Sequence, residues 1–191
     1  HATSPMSSRI RTAAAVALTY REEVLLVERQ PYLSAFPGYW SFPGGKVESE
    51  DGPADSEEAL MFALARELEE ETGLNLPALL ADHQVEAIET LGEATTPAFI
   101  PTRFRTHFFR VSLRHRPELR LCSQELQAAR WMPAQAWWQQ WQRGRLLCAP
   151  PTLAVVHALA QDPRATDAPL LRVDMTPEGR VPWVESVGGV R

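Results

Sequence analysis

The 191-residue chain is poor in cysteine and lysine and has no long apolar run. Its two cysteines, Cys122 and Cys148, fall in no CxxC or Cys/His spacing. Neither a disulfide framework nor a structural zinc site is therefore expected, and a reduced, cytoplasmic compartment is the default. The apolar stretch at residues 13–18 is too short for a signal segment or a membrane span. Residues 1–5 precede Met6 and stay outside the fold reading. Lysine occurs once, at Lys46, against 18 arginines. Basic charge is in deficit overall, with 19 basic and 24 acidic residues and a net charge of −5. That balance argues against a partner made of duplex nucleic acid, whose affinity comes from neutralised phosphates. The deficit is local. Ten acids and one base occupy residues 48–71, a net −9, which leaves +4 for the remainder.

What is present is an ordinary globular composition, 45% hydrophobic and 23% charged. Residues 12–20 and 23–28 are β-rich runs around Arg21-Glu22 and read as a hairpin of core strands. Pro31, Pro37, Gly38, Pro43, Gly44 and Gly45 then predict a loop without regular structure. A helix is expected from Asp55, with Asp55 as cap and Glu58 completing a capping box. Leu60, Met61, Leu64, Ala65 and Leu68 form its apolar stripe, and Gly73 ends it. Strands follow at 85–90, 103–111 and 130–132, helices at 133–142 and 150–160, and one further strand at 170–173. The mixture lacks βαβ regularity and predicts an α+β sandwich. Trp137, Trp138 and Trp141, at i, i+1 and i+4, read as core anchors before they read as a base-stacking platform. The histidines share no ligand spacing.

The run Arg66-Glu67-Leu68-Glu69-Glu70-Glu71-Thr72-Gly73-Leu74 carries the chemistry. On a helix Glu67, Glu70 and Glu71 converge on one face while Glu69 points elsewhere. Acids in the last turns oppose the helix dipole, and like charges four apart cost about 0.2–0.5 kcal/mol per pair. A hard divalent cation compensates such a patch and can bridge it to substrate phosphates.

Gly52, Glu58, Arg66-Glu67-Leu68, Glu70-Glu71 and Gly73-Leu74 have the spacing G-x5-E-x7-R-E-U-x-E-E-x-G-U, with U apolar. This resembles the box of the Nudix hydrolases, and the resemblance runs from about residue 12 to 160. The family's box glycine usually ends a Pro-Gly-Gly turn, which here is Pro43-Gly44-Gly45. Counting from Gly45 puts Asp51 at the first-glutamate position and leaves seven extra residues before Arg66. We read these as an insertion around residues 51–57, with Gly45 the counterpart of the box glycine and Glu57 or Glu58 open for the first-glutamate role.

The resemblance implies a Nudix-type α/β/α sandwich with a mixed β-sheet, spanning residues 6–162, with a C-terminal extension at 163–191. It implies Mg²⁺- or Mn²⁺-dependent hydrolysis of a diphosphate in a nucleoside-diphosphate derivative. Glu70 and Glu71 are then metal ligands, Glu67 a ligand or orienter of the attacking water, and the Gly45 carbonyl a further ligand. Arg66 would hold the glutamates, and Glu125 is a candidate general base. Arg29, Arg103 and Arg105 are candidate phosphate clamps, since guanidinium matches phosphate oxygens.

Leu25-Leu26-Val27-Glu28-Arg29, Gly38 and Phe42-Pro43-Gly44-Gly45 are similar to the extra motif of the coenzyme A diphosphatase branch. Val27, Gln30 and Ser34 depart from it. Residues 96–109 and 144–152 look like stretches of the acyl-CoA-diphosphatase-like subgroup, with Arg105 where an acid is common. The expected substrate is thus CoA or a CoA-like compound. A nucleoside triphosphate or ADP-ribose hydrolase and a non-catalytic nucleotide sensor are the alternatives. The expected partner is a small nucleotide, with neither duplex nucleic acid nor membrane. Members of the family often dimerise, so a homodimer stays open, with the tail after Gln161 able to pack across it.

Overall fold

The computed structural model describes residues 9–161. The expected strand at 170–173 and the C-terminal extension lie outside the described residues. The elements are β1 (Ile10–Tyr20), β2 (Glu23–Arg29), β3 (Tyr39–Ser41), β4 (Gly44–Lys46), α1 (Glu57–Thr72), α2 (Leu76–Ala81) and β5 (Val85–Thr95). They continue through β6 (Arg103–Leu113), β7 (Leu126–Pro133), α3 (Ala134–Gln142), β8 (Leu147–Cys148) and α4 (Pro150–Gln161).

β1 is buried without a break from residue 13 to 19, the signature of a strand covered on both faces. It runs parallel to β6 along its length, from Ile10 opposite Arg103 to Tyr20 opposite Leu113. Its other edge is shared. Thr19 and Tyr20 pair with β2, whereas Ala13, Ala14 and Ala15 pair with β4. β2 continues to β3 and β7, and β3 pairs in parallel with β8. The sheet is therefore mixed and divides beyond the hairpin.

Period-two alternation sends Ala14, Val16 and Leu18 to one side, where Leu60, Leu64 and Leu68 of α1 cover them. Ala15 and Ala17 face the other way, against Trp137 and Trp138 of α3 and Leu153 and Val156 of α4. This is the expected α/β/α sandwich. Trp137 is an anchor within it, fully buried with its indole N–H donated to the Val24 carbonyl at 3.0 Å.

Three local expectations need correction. Gly44 and Gly45 are a strand, because the absence of side chains lets β4 lie directly on β1; a Cβ on Gly44 would collide with the Ala14 carbonyl oxygen. The cap of α1 is Ser56, whose hydroxyl accepts from the Ala59 N–H at 3.1 Å. Asp55 instead accepts from the Thr12 hydroxyl at 3.1 Å, tying the helix start to β1. The short α2 was not expected. Asn75 caps it through the Ala78 N–H, and Pro77 occupies its first turn.

Candidate metal and phosphate site

α1 buries Leu64, Leu68 and Thr72 in its last two turns, and this fixes which acids remain at the rim. Gly73 closes the helix in the left-handed region, φ 77°, with its N–H on the Glu69 carbonyl at 2.9 Å. Glu69 turns away toward the Asn75 amide. Glu67 and Glu71 are partly covered, and Glu70 is exposed.

β4 supplies the floor. Gly44 donates its N–H to Glu71 Oε1 at 3.1 Å. Glu67 lies on Gly45 so closely that a Cβ there would sit 2.5 Å from its carboxyl carbon. β4 and the acidic helix are thus one unit, joined by a hydrogen bond and by a contact that seats the Glu67 carboxylate where a side chain on Gly45 would displace it.

Arg66 locks the loop between them. It pairs with Asp51, donates to the Lys46 carbonyl at 2.9 Å and lies 3.6 Å from Glu67. Asp51 is buried and also accepts from the Glu48 N–H at 2.8 Å. Desolvation raises its carboxyl, but the Arg66 and Glu48 hydrogen bonds and the Arg66 charge outweigh it and hold the carboxyl below its ordinary value. The expectation that Glu57 or Glu58 would take the first-glutamate role is overturned. Both are exposed on the first turn of α1, and the acid on Arg66 is Asp51. Counting from Gly45 was the sequence signal for it. The extra residues consequently fall after Asp51, not from it.

Burial pushes the Glu71 carboxyl up to about 8, reinforced by the charges of Glu67 and Glu125 and opposed by the Gly44 N–H and Arg29. Burial also raises Glu67, helped by Glu70. These are oxygen donors held together against their own repulsion, the donor chemistry that Mg²⁺ or Mn²⁺ takes. In the rotamers they adopt, no three His, Cys, Asp or Glu side chains among the described residues converge to hold an ion. The set fits the metal by chemistry and by its seat on the two glycines.

Electrostatically, Arg29 and Glu125 belong to the same place, since both act on Glu71. Arg103 and Arg105 do not join them. Arg103 donates to the Thr96 carbonyl at 3.1 and 2.9 Å, and Arg105 lies 4.0 Å from Glu93. A cleft of about 310 Å³ opens beside Gly44 and Gly45, lined by Ala13, Phe42, Thr96, Phe104 and Thr106. Strand alternation turns Arg103 and Arg105 to the sheet face opposite Phe104 and Thr106, the face that α1 covers farther along β6. The sequence reading overlooked Lys46, the sole lysine, which also lines this cleft. No helix among the described residues is long and apolar enough to cross a membrane.

The chain matches the NUDIX domain family over residues 9–147. It is 25% identical over 186 residues to a putative nudix hydrolase 7 of Caenorhabditis elegans, covering 82% of this chain and 62% of that protein. It is 37% identical over 68 residues to an 8-oxo-dGTP diphosphatase of Proteus vulgaris, 36% of this chain and 54% of that protein. The chain therefore spans less than two thirds of either curated relative. Among solved structures, a NUDIX hydrolase from Alicyclobacillus acidocaldarius superposes with TM-score 0.71 at 27% identity, over 83% of this chain and 94% of the other.

Proposed function

The chain belongs to the Nudix family, and on that premise we propose that it hydrolyses a diphosphate linkage in a nucleoside-diphosphate derivative, with Mg²⁺ or Mn²⁺ as cofactor. The observation that carries this is the complete set of Arg66, Glu67, Glu70 and Glu71 at the end of one helix, two of its carboxylates resting on Gly44 and Gly45. A module that only binds nucleotides has no need of every ligand in that set.

Glu70, Glu71 and Glu67 would hold the cation, with the Gly45 carbonyl beside them. When bound, it neutralises charge on the diphosphate oxygens and lowers the pKa of a water. The protein contributes the rest. Arg66, fixed by Asp51 and by the Lys46 carbonyl, keeps the loop and the helix in register. Glu125, whose charge acts on Glu71, would take a proton from the attacking water. Arg29 supplies a positive charge at the same end and fits one phosphate group. Arg103, already donating to the Thr96 carbonyl, and Arg105, near Glu93, are the weaker clamps.

CoA or a CoA-like compound is our first substrate, on the Leu25–Gly45 motif with Arg29 in place. A nucleoside triphosphate is the second reading, favoured by the identity to the 8-oxo-dGTP diphosphatase. The test is a panel of CoA, acyl-CoA, ADP-ribose and nucleoside triphosphates with Mg²⁺, Mn²⁺ or chelator. Metal-dependent turnover of CoA is expected. Turnover of triphosphates or ADP-ribose alone overturns the CoA reading, and no turnover of any compound overturns the hydrolase.

A further inference from the structure

Glu125 lies on an exposed turn between Leu121 and β7, a place where a side chain has little to hold it. The turn nevertheless has anchors on both sides. On one side, the Cys122 N–H donates to the Glu71 carbonyl at 3.3 Å, and the Arg120 N–H to the Thr72 carbonyl at 3.0 Å. These bonds fasten the incoming chain to the last turn of the acidic helix. On the other side stands the loop after β2. The Tyr32 hydroxyl donates to the Gln124 carbonyl at 2.6 Å. The Gln30 N–H donates to the Glu125 carbonyl at 2.8 Å, and the Gln30 amide to the Leu126 carbonyl at 3.2 Å. Three successive carbonyls, of Gln124, Glu125 and Leu126, are thus held by two residues. Arg29, immediately before them, donates to the Ala35 carbonyl at 3.0 Å and keeps the same loop closed.

We propose that Tyr32 and Gln30 are positioning residues that fix the backbone of Glu125 and so aim its carboxylate at the Glu71 end of the acidic helix. Tyr32 is the informative one. It is 69% exposed, so it fills no core, and its hydroxyl is its link to the turn. Both residues stand in the stretch where the chain departs from the CoA motif: Gln30 is itself a departure, and Tyr32 lies two positions before another, Ser34. The proposal rests on the hydrolase reading and on Glu125 within it.

Tyr32→Phe, Glu125→Gln and the double variant test it, on whichever panel compound the native protein turns over fastest. Tyr32→Phe is expected to lower kcat about tenfold, the worth of one well-made hydrogen bond, with KM within about twofold. In the Glu125→Gln background the same change is expected to cost less than about twofold, because a residue acting through Glu125 has nothing left to position. Amide hydrogen exchange on the metal-free protein gives a readout independent of turnover. The Gln30 and Leu126 amides are expected to exchange faster in Tyr32→Phe while those of β1 do not change. The proposal fails if kcat is unaltered, if the full tenfold loss persists without the Glu125 carboxylate, or if exchange at Gln30 and Leu126 is unchanged. A native protein inactive on the whole panel overturns the hydrolase instead, a result separate from these.

Discussion

The acidic segment has two halves that look alike as sequence and behave differently as structure. In the first, residues 48–58, Asp51 is buried on Arg66, while Glu48, Glu50, Asp55, Glu57 and Glu58 are exposed. In the second, Glu67 and Glu71 are crowded against glycine and against each other, and burial raises both carboxyls. The first half uses its one buried acid for structure, with a cation already supplied by the chain. The second gathers carboxylates whose burial outweighs the nearby charges of Arg66 and Arg29. Arg66 is shared between the halves, but its bond is to Asp51 and its approach to Glu67 is the longer one. Charge density therefore does not mark the site. Burial that outweighs the nearby cations does.

The sharpest way to break this contrast is to neutralise the second half. Glu71→Gln keeps an oxygen for the Gly44 N–H and removes a charge that its surroundings disfavour. Metal-dependent hydrolysis should fall about a thousandfold, near 4 kcal/mol, while the thermal midpoint stays level or rises. Loss of activity with loss of stability would make Glu71 a structural acid like Asp51. Next in size is Gly45→Ala. The new methyl meets the flexible end of Glu67, not backbone, so the fold should yield less than about 1 kcal/mol. Glu67 must swing aside, and displacement of a catalytic group by about an ångström costs about a hundredfold in kcat/KM. Steady-state kinetics beside a melting curve separate the two effects.

Much of this was legible beforehand, for identifiable reasons. The acidic helix announces itself through Leu60, Leu64 and Leu68 at helical spacing, and Gly73 marks its end. β1 and β2 are strong because they are continuous apolar runs. β4 was hidden because glycine reads as a breaker, although here the missing side chains are what permit the pairing with β1. Asp51 was marked by the count from Gly45 but had a rival. Gly52 and Glu58 satisfy the box spacing literally, and only the contact with Arg66 shows which acid is the partner. Arg103 and Arg105 were chosen by residue type, and type does not record that Arg103 is held by the Thr96 carbonyl or that Arg105 lies near Glu93. The anchors of Glu125 are mostly backbone carbonyls, which no residue pattern records.

The remaining predictions probe the first half. Asp51→Asn leaves Arg66 without its anionic partner, though the Lys46 carbonyl still accepts from it. A cost of about 2 kcal/mol is expected, below that of a fully buried pair because Arg66 is partly exposed. The native carboxyl is held low, so its contribution is complete at pH above the unfolded carboxyl value. It is lost as the pH falls through that value and then through the lower folded one. Urea melts between about pH 6 and pH 3 should therefore show a steeper acid loss in the native protein than in Asp51→Asn. Glu58→Gln should do least. Glu58 is exposed on the first turn, where an acid gains only about 0.3–1 kcal/mol from the helix dipole and Ser56 already caps the helix. A shift below about 0.5 kcal/mol with unchanged kcat/KM is the expected result. A tenfold loss of activity would return the first-glutamate role to Glu58 and dissolve the division between the two halves.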